Sequence, residues 1–211
     1  MSLIEVIEEI TSQRKCTKCP LKESRKPLVI KPHPMSAIKA VVVTESPWQC
    51  VEDIEQLTSI ANIYTFPYLY CLLSGNFRPR ENANTYWTHT CKCYLKGTGP
   101  QERKKAIKIC SEAYLQSEIE AVQPKLVVAV GNSALTYFAR QTRDNRLQGK
   151  LTNVFLKQAD GIFKNVKLGS ANFSLAVVPH PSGKNRFWNK MPQGAVQAFK
   201  RIIKNIKEEI S

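Results

Sequence analysis

The chain has 211 residues, 43% of them hydrophobic, a formal net charge of +14 and seven cysteines. That is the size of one domain able to bury a sizeable core, and the positive surplus points to a polyanionic partner, a nucleic acid or an anionic membrane surface. No apolar run approaches the roughly 18 residues that span a bilayer, and the opening Met1 to Ile10 is acidic and amphipathic, unlike a signal peptide. The expectation is a cytoplasmic, monomeric protein that does not enter a membrane. Disulfides are rare in that compartment, so the cysteines need another use, metal first.

Leu3, Ile4, Ile7 and Ile10 share one helical face, which predicts a short packing helix over 2–14. Cys16-Thr17-Lys18-Cys19-Pro20-Leu21 follows. A C-x-x-C holds a metal, runs redox chemistry or is two buried thiols; a redox motif should follow a strand, and this one follows a helix. Residues 22–39 are basic and contain prolines, a loop in which His33 reads as a surface residue. Ala40 to Thr44 is a β-branched run, a buried parallel-type strand. It ends in Glu45-Ser46-Pro47-Trp48. A carboxylate at a strand's carboxyl end is a candidate for aligning water or substrate; it equally suits the first turn of the helix expected from Val51 to Ile60. Tyr64, Phe66, Tyr68 and Tyr70 are core, or include a ring that stacks on a base.

Thr85 to Cys91 reads as the next strand, leading into Cys91-Lys92-Cys93. After a loop over 94–100, a long helix runs to about Val122, with Cys110 on it. Arg103, Lys104, Lys105 and Lys108 crowd its first turns, either a solvated face or a patch for phosphate. Lys125 to Val130 is a third strand, followed by Gly131-Asn132-Ser133 and a helix to about Arg140. Residues 151–167 look like a hairpin turning near Asp160-Gly161. Leu175 to Val178 is the fourth strand, and Phe199, Ile202, Ile203, Ile206 and Ile210 stripe a closing helix. The order implies an α/β protein, a three-layer α/β/α sandwich around a four-stranded, mainly parallel sheet, with 1–211 as one domain.

His180 lies between Pro179 and Pro181 at the end of the fourth strand. Proline stops the ladder there, and ligands of open α/β sheets bind at that end. Ser182, Gly183, Lys184, Asn185, Arg186 and Phe187 come next, donors for phosphate and a ring to wedge between bases. A Pro-rich turn with a satisfied histidine fits the same letters. Among the cysteines, Cys16 and Cys19 are close and Cys93 and Cys110 distant. Two near and two far ligands suit a [4Fe–4S] cluster better than a zinc ribbon, which more often shows two tight knuckles. Cys91 competes with Cys93, since residues two apart on a strand share a face. Cys50 and Cys71 read as inert core thiols.

Taken in order, C-x-x-C-P-L, strand–E-x-P, strand–K-C, a helical Cys, strand–G-N-x-A-L and strand–H-P-S, the sequence resembles the iron–sulfur (family 4) uracil-DNA glycosylases from Cys16 to about Trp188. The family's G-E-A-P-G stands here as Thr44-Glu45-Ser46-Pro47-Trp48, and its H-P-S as His180-Pro181-Ser182. The resemblance implies hydrolysis of an N-glycosidic bond in single- or double-stranded DNA, on a base flipped out of the stack. It implies that Glu45 orients water and His180 donates a hydrogen bond to the departing base, with Ser46 assisting. Phe66 or Tyr64 would stack on the base, and Ser182 with the loop Gly183 to Phe187 would grip DNA. Cys16, Cys19, Cys93 and Cys110 would hold the cluster, stapling the 1–39 segment to 93–110. Two departures touch the base pocket. The family's base-reading asparagine is His89, and both motif glycines are replaced, by Thr44 and Trp48. The substrate is then uracil or a modified (hydroxymethylated or glycosylated) pyrimidine, the latter a target in defence against foreign DNA. The rivals are a non-catalytic iron–sulfur DNA-binding protein and a zinc-stapled RNA-binding protein.

Overall fold

The computed structural model describes residues 1–29, 38–47, 85–180 and 194–210. Five strands form one sheet: β1 (Ala40–Thr44), β2 (Thr85–His89), β3 (Leu126–Val130), β4 (Phe163–Leu168) and β5 (Ala171–Val178), in the order β2-β1-β3-β5-β4. The pairs β1/β2, β1/β3 and β3/β5 are parallel, and β4 runs antiparallel to β5 at the edge. Every residue of β1, β2 and β3 is buried. Continuous Val-rich runs rather than alternating ones are what a sheet covered on both faces requires.

Alternate side chains serve the two faces. Val41, Val43, Val127, Ala129, Leu175 and Val177 pack with Leu3 and Ile7 of α1 (Leu3–Thr11), Ile119 of α3 (Gln116–Val122) and Leu135 and Phe138 of α4 (Gly131–Thr142). Ala40, Val42, Val128, Ala176 and Val178 pack with Phe155 of α5 (Leu151–Leu156) and with Ala195, Ala198, Ile202 and Ile206 of α6 (Ala195–Ile210). The layers are therefore helix, sheet and helix, the fold class expected, with one strand more than expected. Among the described residues no helix is long and apolar enough to cross a membrane.

The extra strand corrects the hairpin expected over 151–167. Leu151, Val154 and Phe155 stand at helical spacing, and they form α5, which a 3-10 turn extends over Lys157–Asp160. The true hairpin joins β4 to β5, with Leu168 paired to Ala171 and Gly169 at φ +57° in the tight turn. A Gly-Ser pair carries that turn because glycine takes a positive φ without a Cβ clash. The long helix is also divided. α2 (Pro100–Cys110) passes through one π-helical turn, Ser111–Leu115, before α3. Pro100 at its first turn suits a position whose N–H has no partner within the helix. At the amino end, Ser2 and Glu5 cap α1 reciprocally.

Candidate active site

The strand order reverses between β1 and β3: β1 leads to β2 on one side, and the chain returns to β3 on the other. A crevice outside the carboxyl ends of the strands opens at such a point. Glu45 follows β1 directly. Its backbone carbonyl accepts hydrogen bonds from Cys91 N–H at 2.8 Å and from the Thr90 hydroxyl at 2.9 Å, and Thr90 N–H bonds Thr44 O at 2.8 Å. These bonds lash the turn after β1 to the turn after β2. The carboxylate meets two donors from other elements: the Arg103 guanidinium of α2 on Oε1 and the Ser133 hydroxyl of α4 on Oε2. Ser133 lies in the first turn of its helix, where the dipole favours a negative group.

His180 reaches the same place from β5. Gly131, at φ +83°, turns the chain from β3 into α4, and a Cβ there would lie 3.4 Å from the His180 Cβ. Glycine is required at that turn for its backbone, and it lets the β3–α4 turn pass close beside the histidine. Burial depresses the His180 pKa below its ordinary value, while the neighbouring Glu45 charge pulls the other way. Burial wins, so the imidazole is neutral at pH 7 and presents one N–H donor. Ser46, half-buried beside Glu45, donates to the Pro47 carbonyl at 3.4 Å.

His89, at the carboxyl end of β2, is buried directly across from Thr44, its partner in the parallel register. Its Nδ1 lies 2.6 Å from Thr44 Oγ1. Its Nε2 is buried without a hydrogen-bond partner among the described residues. Burial, reinforced by the Lys92 charge, lowers its pKa to about 3, so the ring is neutral. Beneath it lies a fully buried ionic network. The Lys92 ammonium donates to Glu118, to Thr88 Oγ1 at 2.6 Å and to the His89 carbonyl at 2.6 Å. Glu118 also accepts from Tyr86 at 2.6 Å and Thr88 at 2.7 Å. Every donor of the ammonium is used, the condition for keeping such a charge inside a protein.

The thiols gather on the far side of Lys92. Cys16, Cys91, Cys93 and Cys110 share one apolar cluster with Val6, Ile10, Leu21, Leu95, Ala106 and Tyr114, and Cys19 packs against it. Lys92 N–H donates to Cys110 Sγ at 3.2 Å, and Cys16 Sγ lies 3.5 Å from the Tyr114 hydroxyl. Burial pushes the Cys93 thiol up to about 12, and Cys110, Cys19 and Cys16 each add to the rise. A hydrogen bond that the Cys110 thiol donates to Cys91, and then burial, raise Cys110 as well. Three separate segments thus bring their sulfurs within electrostatic reach of one another. Among the described residues no group of three or more His, Cys, Asp or Glu is disposed to hold a metal ion.

Of the residues expected from sequence, Glu45, Ser46, His89 and His180 all lie at or beside the carboxyl ends of β1, β2 and β5, and Cys16, Cys19, Cys93 and Cys110 share the second cluster. Tyr64, Phe66, the helix expected from Val51 to Ile60, Cys50, Cys71, His33, Trp48 and the loop Ser182 to Phe187 lie outside the described residues. The sequence did not single out Ser133 or the Lys92–Glu118 pair, and it offered Arg103 only as one of a run of cations. The family model described as the Uracil DNA glycosylase superfamily matches residues 51–206, most of the chain. No curated protein matches the sequence.

Proposed function

The chain belongs to the uracil DNA glycosylase superfamily, and from that premise we propose that it hydrolyses the N-glycosidic bond of a base in DNA. Members of the superfamily are DNA glycosylases, hydrolases that act on DNA. The observation that carries the reading is the meeting of Glu45 and His180, from β1 and β5, at the point where the strand order reverses. In the proposed reaction the C1′–N bond breaks and its electron pair leaves with the base. Neutral His180 donates its N–H to the carbonyl oxygen on which that charge collects. The Glu45 carboxylate accepts a hydrogen bond from the water whose oxygen bonds C1′ and takes the proton that water gives up, which passes on to the departed base anion; its charge also favours the cationic sugar. The surplus of 31 Lys and Arg over 17 Asp and Glu serves attraction to phosphate. A base-release assay tests this, using oligonucleotides with uracil, hypoxanthine or a hydroxymethylated or glycosylated pyrimidine, followed by alkaline cleavage of abasic sites. Release by wild type and not by His180→Ala, with DNA binding retained, is the expected result. Silence of wild type on every base would favour a non-catalytic DNA-binding protein.

The base itself need not be uracil, and one contact supports a modified pyrimidine. Thr44 and His89, two of the positions at which the sequence leaves the pattern of the iron–sulfur glycosylases, are bonded to each other. They form one altered unit rather than two scattered changes. Release of a modified base in preference to uracil is the outcome this supports, and release of uracil alone would remove it.

The thiol cluster supports a second element of the proposal. Cys16, Cys19, Cys93 and Cys110 would hold a [4Fe–4S] cluster, with Cys91 hydrogen-bonded beside them. When bound, such a group supplies four sulfur bonds that cross-link the chain and no chemistry on the base. Its ligands would tie the segment after α1 to the loop after β2 and to α2. Iron and acid-labile sulfide in freshly purified protein are expected in equal amounts, and both should fall in Cys93→Ser. Zinc without sulfide would give the site to a single ion instead.

A further inference from the structure

The side chain of Glu45 is held by more than its own backbone. Its main chain is lashed to Thr90 and Cys91, but three torsions separate that anchor from the carboxylate. The two oxygens are engaged from opposite elements, Oε1 by Arg103 and Oε2 by Ser133. Arg103 belongs to the run Arg103-Lys104-Lys105, which by sequence alone reads as a phosphate patch. Its placement argues otherwise. A cation in the first turn of α2 faces the positive end of the helix dipole, an unfavourable position that a carboxylate on the guanidinium offsets. Ser133 has one hydroxyl proton, and it is committed to Glu45.

We infer that Arg103 and Ser133 are the positioning residues of the glycosylase reaction, a clamp that fixes both oxygens of Glu45, with Arg103 serving the carboxylate rather than the DNA backbone. Each carboxylate oxygen keeps a second lone pair, so the clamp leaves room for a hydrogen bond from water. Water aimed at C1′ tolerates little error, since a displacement of about 1 Å costs on the order of a hundredfold in rate. The inference rests on the glycosylase reading above.

The experiment compares kcat, KM and the slope of log affinity against log salt for Arg103→Met, Arg103→Lys, Ser133→Ala and Lys104→Met. Arg103→Met is expected to lose about a hundredfold in kcat with KM and salt slope near wild type. Ser133→Ala should lose on the order of tenfold by the same argument, and Arg103→Lys should recover part of the loss. Lys104→Met should leave kcat intact. A phosphate contact behaves differently: its loss weakens binding and flattens the salt slope by about one. If Arg103→Met does that with kcat unchanged, the clamp is overturned while the glycosylase reading stands. A kcat loss in Lys104→Met equal to that in Arg103→Met would also overturn it, because the effect would then be general charge. Wild type that releases no base defeats both readings. Ser133→Ala removes one oxygen and keeps the test decisive if the arginine variants fold poorly.

Discussion

Two ion pairs lie near the carboxyl edge of the same sheet and differ most in exposure. Glu45 and Arg103 keep 30% and 47% of their side-chain surface open, whereas Glu118 and Lys92 keep 0% and 2%. Both carboxylates accept further hydroxyl donors, Ser133 in one case and Tyr86 and Thr88 in the other. Each joins a carboxylate to a cation with hydroxyl donors beside it, and accessibility is the difference that decides what each can do. The open pair can meet a substrate. The closed pair can only hold the end of β2 in place, and with it His89 and the start of the thiol segment.

The comparison predicts opposite responses to mutation. Breaking the closed pair with Lys92→Met leaves buried Glu118 without its counter-ion, and should cost about 3–5 kcal/mol of stability. Urea unfolding measures this, and a Lys92→Met, Glu118→Leu double variant should restore much of the loss. A drop no larger than that of a surface pair would show that water reaches the site. On the open side, His180→Ala should lower base release about a hundred- to a thousandfold with the urea midpoint nearly unchanged. Equal damage to folding and to rate would erase the distinction.

The pH dependence sharpens the contrast on the closed side. His89 is depressed to about 3 when folded, against an ordinary 6.5. Between those values the unfolded chain binds a proton that the folded chain does not, so stability falls as pH drops below about 6.5. From pH 6.5 to pH 5 the expected loss is about 2 kcal/mol, and His89→Asn should remove that share when the two proteins are unfolded in parallel. The smallest effect expected is Thr44→Val. It strips Nδ1 of its partner and should cost on the order of 1 kcal/mol in the same assay, with a change in which base is released if the pair shapes the pocket.

The sheet was legible because Ala40–Val43 and Leu126–Val130 are unbroken apolar runs, as strands buried on both faces require. Glu45 and His180 were legible because each directly follows such a run or its closing proline. The misread segment, 151–167, had apolar residues compatible with either period, and Asp160-Gly161 looked like a turn; the real turn was the less conspicuous Gly169-Ser170. The partners of Glu45 were hidden for another reason. Arg103 lies 58 residues away and Ser133 lies 88, and a serine after a helix-opening glycine carries no mark of its duty. Lys92 was hidden by its charge, since lysine is almost never buried without a partner, and Glu118, 26 residues on, appears only in three dimensions.

The π-helical turn over Ser111–Leu115 acts as a screw setting for everything before it. Successive helical residues differ by about 100° around the axis, so removing one residue from that turn would rotate α2 by that angle relative to α3. Cys110 and Arg103 ride on the same rigid stretch, Pro100–Cys110. The rotation would swing the thiol off its cluster and the guanidinium off Glu45 in a single movement. The spare residue in that turn therefore keeps both sites in phase, and a one-residue deletion there should disable them together.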